Sequence, residues 1–163
     1  MLTMEQLERL GEANNTRLEV VGGLTLWEAS PVFLHQEIIF RIQVSIKPLA
    51  GGGECGCVHA SDVAVRFPEG SLKRPDIAIF CRRPDNPEQE TTLLPEAVIE
   101  VISQDYEAKD LVIGIPFYLL QGVKDVLVLN PKTQAVVHAR RGSRQEYISP
   151  VEIALECGCV CTV

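Results

Sequence analysis

No run of apolar residues in this sequence approaches the roughly 20 that a bilayer span requires. The longest candidate, residues 111–120, is ten residues long and is interrupted by Gly114 and Pro116. Aromatic residues are few, 6% of the chain with a single Trp27, which leaves no interleaved platform for stacking single-stranded bases. Positive charge does not dominate either: 15 Lys and Arg against 22 Asp and Glu give a net charge of -7. That balance excludes a bulk nucleic-acid coat protein. It leaves room for a nuclease, because attraction for phosphate depends on where the charges sit. The six cysteines show no C-x-x-C spacing, which sets aside zinc ribbons and thioredoxin-like sites. Gly and Pro follow no period and no heptad persists, so collagen-like and coiled-coil chains are excluded. The start, MLTMEQLERLGEANN, is acidic and lacks the apolar stretch of a secretory leader. The expected compartment is therefore the cytoplasm, where thiols stay reduced.

What is present is an ordinary globular composition, 46% apolar and 23% charged over 163 residues. No linker divides the chain, so residues 1–163 are expected to form a single domain. A short helix is predicted over 3–12, with Thr3 and Gln6 as a capping box. Strands follow at 18–21 and 24–27 around a Gly22-Gly23 turn. Ile38, Ile39, Ile42 and Ile46 recur at helical spacing, which predicts a helix over 31–46 capped by Ser30 with Pro31 at its first position. Alternation predicts strands over 54–59 and 63–66, and Pro75-Asp76 opens another over 77–81. Residues 82–95 carry three prolines and read as a loop. The nearly continuous apolar run 97–102 reads as a strand buried on both faces. A helix over 107–121 should kink or restart at Pro116. Strands at 126–129 and 135–139 and an edge segment at 147–148 complete a mixed α/β (α+β) domain with one central sheet.

Two acids stand out by position. Asp76 lies at the mouth of a strand in RPDIAIF, and Glu100 lies within the most apolar strand, in EAVIEVIS. A buried carboxylate is costly unless paired, hydrogen-bonded or metal-bound. If adjacent strands bring the two together, one pKa must rise unless a cation sits between them. Mg²⁺ suits one or two carboxylates plus water and phosphate oxygens.

The stretches LEVVGG, ASDVAVRFPEG, KRPDIAIF, AVIEVIS and KDLVIGIPFYLLQGVKDVLVLNP, in that order and spacing, resemble the Uma-type family of bacterial endonucleases. That family is a branch of the PD-(D/E)xK restriction-endonuclease-like superfamily, and the resemblance covers about residues 17–140. It implies a restriction-endonuclease-like fold, a central mixed β-sheet flanked by helices. It implies that Asp76 and Glu100 bind Mg²⁺, or Mn²⁺, and direct water at a DNA phosphodiester. It also implies a homodimer, and a Glu and a His at the positions of Glu19 and His35. The superfamily lysine falls at Ile102 here. The lysine that Uma-type members carry on the next helix, in D-L-x-x-K-x-x-x-Y, falls at Gly114 when Asp110-Leu111 and Tyr118 are matched. Lys109 is the candidate substitute catalytic residue, although on an α-helix it would point about 140° away from Gly114; Gln104 is a second. Two readings follow: a Mg²⁺-dependent DNA endonuclease, degenerate for want of that lysine, and a non-catalytic nucleic-acid- or protein-binding module on the same fold.

Other residues have both functional and plain readings. Asp62 is a third ligand or an exposed strand-end acid, and Glu37 belongs to a polar helix face. The basic groups Lys73-Arg74, Arg82-Arg83 and Arg140-Arg141 with Arg144 are solvated surface, or a phosphate-holding rim if they line up beside Asp76. The pentapeptide ECGCV occurs twice, at 54–58 and 156–160. Cys55, Cys57 and His59, and likewise Cys157, Cys159 and Cys161, would share a strand face. On a flat strand such i, i+2 ligands lie about 6–7 Å apart, poor for one tetrahedral ion. Buried reduced thiols are the expectation, and a thiol- or metal-handling protein is a third reading.

Overall fold

The structure, a computed structural model, describes residues 3–14, 16–103 and 107–163. Helix α1, Met4–Ala13, begins as the sequence indicates: the Thr3 hydroxyl accepts from the Gln6 N–H and the Gln6 side chain accepts from the Thr3 N–H. The hairpin β1 (Thr16–Val21) and β2 (Leu24–Ala29) closes through Gly22-Gly23, both at positive φ. Helix α2 spans Phe33–Ser45 and buries Ile38, Ile39 and Ile42. It starts two residues later than the sequence suggests, because Val32 is extended and serves as N-cap, which leaves Pro31 outside the helix.

The next strands are short: β3 (Lys47–Pro48), β4 (Val58–Ala60), β5 (Val65–Arg66), β6 (Leu72–Lys73) and β7 (Ile77–Phe80). They are followed by β8 (Ala97–Val101), a π-helical segment at Lys109–Gly114, α3 (Ile115–Gln121) and β9 (Asp125–Leu129). The chain ends through β10 (Ala135–Arg140), β11 (Ser143–Ile148), β12 (Glu152–Ala154) and β13 (Cys159–Thr162).

The expected central mixed sheet is present, and two small sheets accompany it. The principal sheet has the order β11-β10-β9-β8-β7-β4, with two smaller sheets ordered β2-β1-β6-β5 and β12-β13-β3. Two-residue strands such as β3, β5 and β6 carry no periodic signal, so their pairing is invisible in sequence. Within the principal sheet only β8 and β9 are parallel, and the crossover between them carries the π-helical segment and α3. Alternate residues of β7, β8 and β9 enter two cores. Ile77, Ile79, Ile99 and Leu127 face α2 and the cysteines. Ala78, Val98 and Val126 face Phe117 and Tyr118 of α3. Both faces are covered, which is why β8 reads as an unbroken apolar run.

Two local departures have physical causes. A continuous α-helix over 107–121 would set the Pro116 ring against the carbonyl four residues back. The chain widens instead into the π turn, where the Ile115 N–H reaches the Asp110 carbonyl, and α3 restarts there with Pro116 in its first turn. The strand expected over 54–59 is reduced to β4 because Cys57 adopts φ 49, which breaks the strand ahead of Val58; Cys55 and Cys57 are both buried.

Gly158 has φ +88, and a Cβ there would sit 2.7 Å from the Gly53 nitrogen, whereas a Cβ on Gly53 meets nothing within 4 Å. Gly158→Ala should therefore cost about 2 kcal/mol or more of stability, and Gly53→Ala little. Urea unfolding of the two variants beside wild type measures the difference.

Candidate active site

The antiparallel register Ile77↔Ile99 sets Asp76, just before β7, opposite Glu100 in β8. Both are buried, Asp76 at 8% exposure and Glu100 at 3%. Each carboxylate accepts from the opposite strand: the Asp76 N–H donates to Glu100 Oε2 (3.1 Å) and the Val101 N–H donates to Asp76 Oδ2 (2.8 Å). The Tyr118 hydroxyl donates to Glu100 Oε1 at 2.7 Å. From α2, His35 Nε2 lies 2.9 Å from the Val101 carbonyl and 3.3 Å from Asp76 Oδ2. Burial, reinforced by the charges of Asp76 and Asp110, pushes the Glu100 carboxyl well above the ordinary range. For His35, burial favours the neutral ring, but the bond and charge of Asp76 outweigh it and its pKa is raised.

Beside this pair lies a chain of alternating charges. Lys73 is fully buried, and its Nζ is 2.6 Å from Glu19 Oε2; Glu19 Oε1 accepts from the Arg74 N–H at 2.8 Å. Lys109 Nζ lies 2.9 Å from Glu28, 3.5 Å from Glu19 and 3.7 Å from Asp110. Burial works against the Glu19 anion, yet Lys73 and Lys109 pull its pKa below the usual value. The Lys109 ammonium is held by the same exchange: burial opposes it, and Glu19 and other acids raise its pKa. Asp110 is 3% exposed. Burial, with the charges of Asp76 and Glu28, outweighs the lysines and raises its pKa to about 7. Its Oδ1 has no hydrogen-bond partner among the described residues.

The structure thus gathers Asp76, Glu100, Glu19 and His35 around one centre and adds Lys73, Asp110, Glu28 and Tyr118. Lys73 was expected on a solvated surface; it is instead the most buried cation of the site, a placement no local pattern announces. Lys109 reaches the site through Glu19, Glu28 and Asp110, and it lies in a π turn, whose bonds join residues five apart, rather than in the α-helix assumed from sequence. Ile102 packs into the core against α3. Asp62 is exposed and paired with Arg17, and Glu37 is exposed on α2. Gln104 lies outside the described residues. The other basic groups form no rim beside Asp76. Arg140 pairs with Asp125, which is opposite Ala97, and Arg82 follows the end of β7, so both are at the far end of these strands from Glu100.

Five buried carboxyl groups (Glu19, Glu28, Asp76, Glu100, Asp110) thus face two lysines and His35. The excess of oxygen donors, with one buried Asp110 oxygen that accepts no hydrogen bond among the described residues, fits a hard divalent cation, which needs few protein ligands because it keeps its waters.

The fold is that of a nuclease-like protein. The family model described as "Putative restriction endonuclease", Uma2, matches residues 4–156, and the chain belongs to that family. Among solved structures it is similar to a "putative nuclease belonging to DUF820" from Anabaena variabilis ATCC 29413. The TM-score is 0.67 at 18% identity, covering 94% of this chain and 88% of that one. No curated protein matches.

Asp110 gives a pH test. Its folded pKa is above its unfolded value, so the fold favours the protonated form, and stability is lost as pH rises from about 4 through about 7. In chelator, Asp110→Asn should be more stable than wild type at pH 8 by up to a few kcal/mol. The advantage should shrink towards pH 4 in denaturant titrations.

Proposed function

We propose that the protein is a metal-dependent DNA endonuclease acting on phosphodiester bonds. The observation that carries this reading is the buried Asp76–Glu100 pair, each carboxylate locked to the other strand's backbone. Asp76 and Glu100 would hold Mg²⁺ or Mn²⁺, with the rest of the coordination supplied by water and phosphate oxygens. Bound there, the ion supplies Lewis acidity and lowers the pKa of water. His35 orients Asp76, and Tyr118 orients Glu100. Lys109, with Lys73 behind it, supplies the positive potential that the absent lysines at 102 and 114 would have given, an effect commonly worth about 3 kcal/mol in a transition state. DNA as substrate and the cytoplasm as compartment belong to the same reading. So does a second copy of the chain, for which α2 offers exposed Phe33, Phe40 and Val44.

One observation favours the non-catalytic alternative: Lys73 and Lys109 are already engaged by Glu19 and Glu28, so neither is free to meet a phosphate without breaking an ion pair.

Plasmid DNA incubated with Mg²⁺ or Mn²⁺ separates the two readings. Cleavage should appear with wild type, vanish with Asp76→Ala and with Glu100→Ala, and slow about 100-fold or more with Lys109→Met. Cleavage that persists in both acid variants would refute the assignment. An inert wild type that gains metal-dependent cleavage on Gly114→Lys would establish the degenerate scaffold. For the dimer, sedimentation should show Phe40→Asp shifting the protein towards monomer.

A further inference from the structure

The two ECGCV segments converge on the face of the central sheet opposite Glu100 and Tyr118. Cys57 at φ 49 and Gly158 at φ +88 turn the two segments. The second turn is closed by Gly158 N–H to the Leu155 carbonyl at 3.0 Å and Leu155 N–H to the Cys159 carbonyl at 2.8 Å. The sulfurs of Cys55, Cys57 and Cys159 lie within 4.8 Å of one another, and so do those of Cys55, Cys81 and Cys157. Five sulfurs from three stretches of chain therefore gather about Cys55; Cys161 belongs to neither group. Four of them are joined here as the disulfides Cys55–Cys81 and Cys57–Cys159, while Cys157 is free and buried. This differs from the reduced thiols expected of a cytoplasmic chain.

We propose that in the reduced protein this cluster binds one zinc ion through Cys55, Cys57, Cys159 and a fourth thiolate from Cys81 or Cys157. The objection that i, i+2 ligands splay apart holds only for a flat strand, and neither segment is flat at its cysteines. Two sulfurs on one tetrahedral zinc lie about 3.8 Å apart, given Zn–S bonds of about 2.3 Å; Cys55 and Cys159 Sγ are 3.6 Å apart. The surroundings are apolar, with Ile79, Ile153 and Leu155 in the same core. That suits an all-thiolate site, since soft ligands select zinc over the hard cations that the acids on the other face would take. With four protein ligands and no open position the ion is structural. It ties the 51–57 loop to the C-terminal sheet, and with Cys81 as the fourth ligand the residue after β7 as well, independently of any nuclease activity.

The test is metal and thiol analysis of the full chain purified in reductant without chelator, then incubated with zinc and desalted. About one equivalent of zinc is expected. It should be released by a mercurial thiol reagent, retained in Asp76→Ala, Glu100→Ala and Cys161→Ser, and lost in Cys55→Ser and Cys159→Ser. Should the cysteine variants fail to fold, Co²⁺ substitution in wild type decides: tetrahedral thiolate coordination shows intense sulfur-to-cobalt charge transfer. Six titratable thiols with no bound metal would overturn the proposal. So would disulfides that persist in excess reductant, or zinc lost with Asp76→Ala and Glu100→Ala but kept in Cys55→Ser.

Discussion

A carboxyl group in the middle of the most apolar strand has to be held by something, and the site is built around the way Glu100 is held. One oxygen accepts from the Asp76 backbone and the other from the Tyr118 hydroxyl. Asp76 returns the tie by accepting from Val101. These bonds span β7, β8 and the crossover to α3, so the site and the sheet register are one constraint. A slip of one residue between β7 and β8 would turn the acids to opposite faces. The π turn serves the same end. By accommodating Pro116 it carries Asp110 and Lys109 inward, and Glu19, Glu28 and Lys73 from the smaller sheet complete the charge pattern around them.

The central sheet divides the chemistry by hardness. On the α3 side lie carboxylates and ammonium groups, with more acids than cations. On the α2 side lie sulfurs in an apolar core. Oxygen and sulfur groups are kept apart by the apolar residues of β7, β8 and β9. No helix among the described residues is long and apolar enough to cross a membrane.

Much of this was legible beforehand, and what was not has identifiable causes. The capping box at Thr3, the Gly22-Gly23 turn, the inward isoleucines of α2 and the buried run of β8 are local patterns, and they formed as local patterns do. The Asp76–Glu100 pair was legible because an acid inside an apolar strand is costly enough to need a reason. Lys73 was not, since a lysine beside an arginine looks like surface until Glu19, 54 residues away, is folded against it. For Lys109 the residue could be singled out but its surroundings could not, because it lies in a π turn and not in the α-helix that its sequence suggests. The cysteines are buried as expected, but which of them meet was not legible, because Cys57 takes a left-handed conformation that no residue type announces.

The sequence by itself determined the longer elements and the family, and singled out the two acids, because periodicity, capping and the cost of a buried charge act within a strand or a helix turn. Only the tertiary structure decided which cations balance those acids and which sulfurs meet. Ion pairs and metal ligands are contacts between residues far apart in the chain, and their partners are chosen by register and crossover, which leave no mark on the residues themselves.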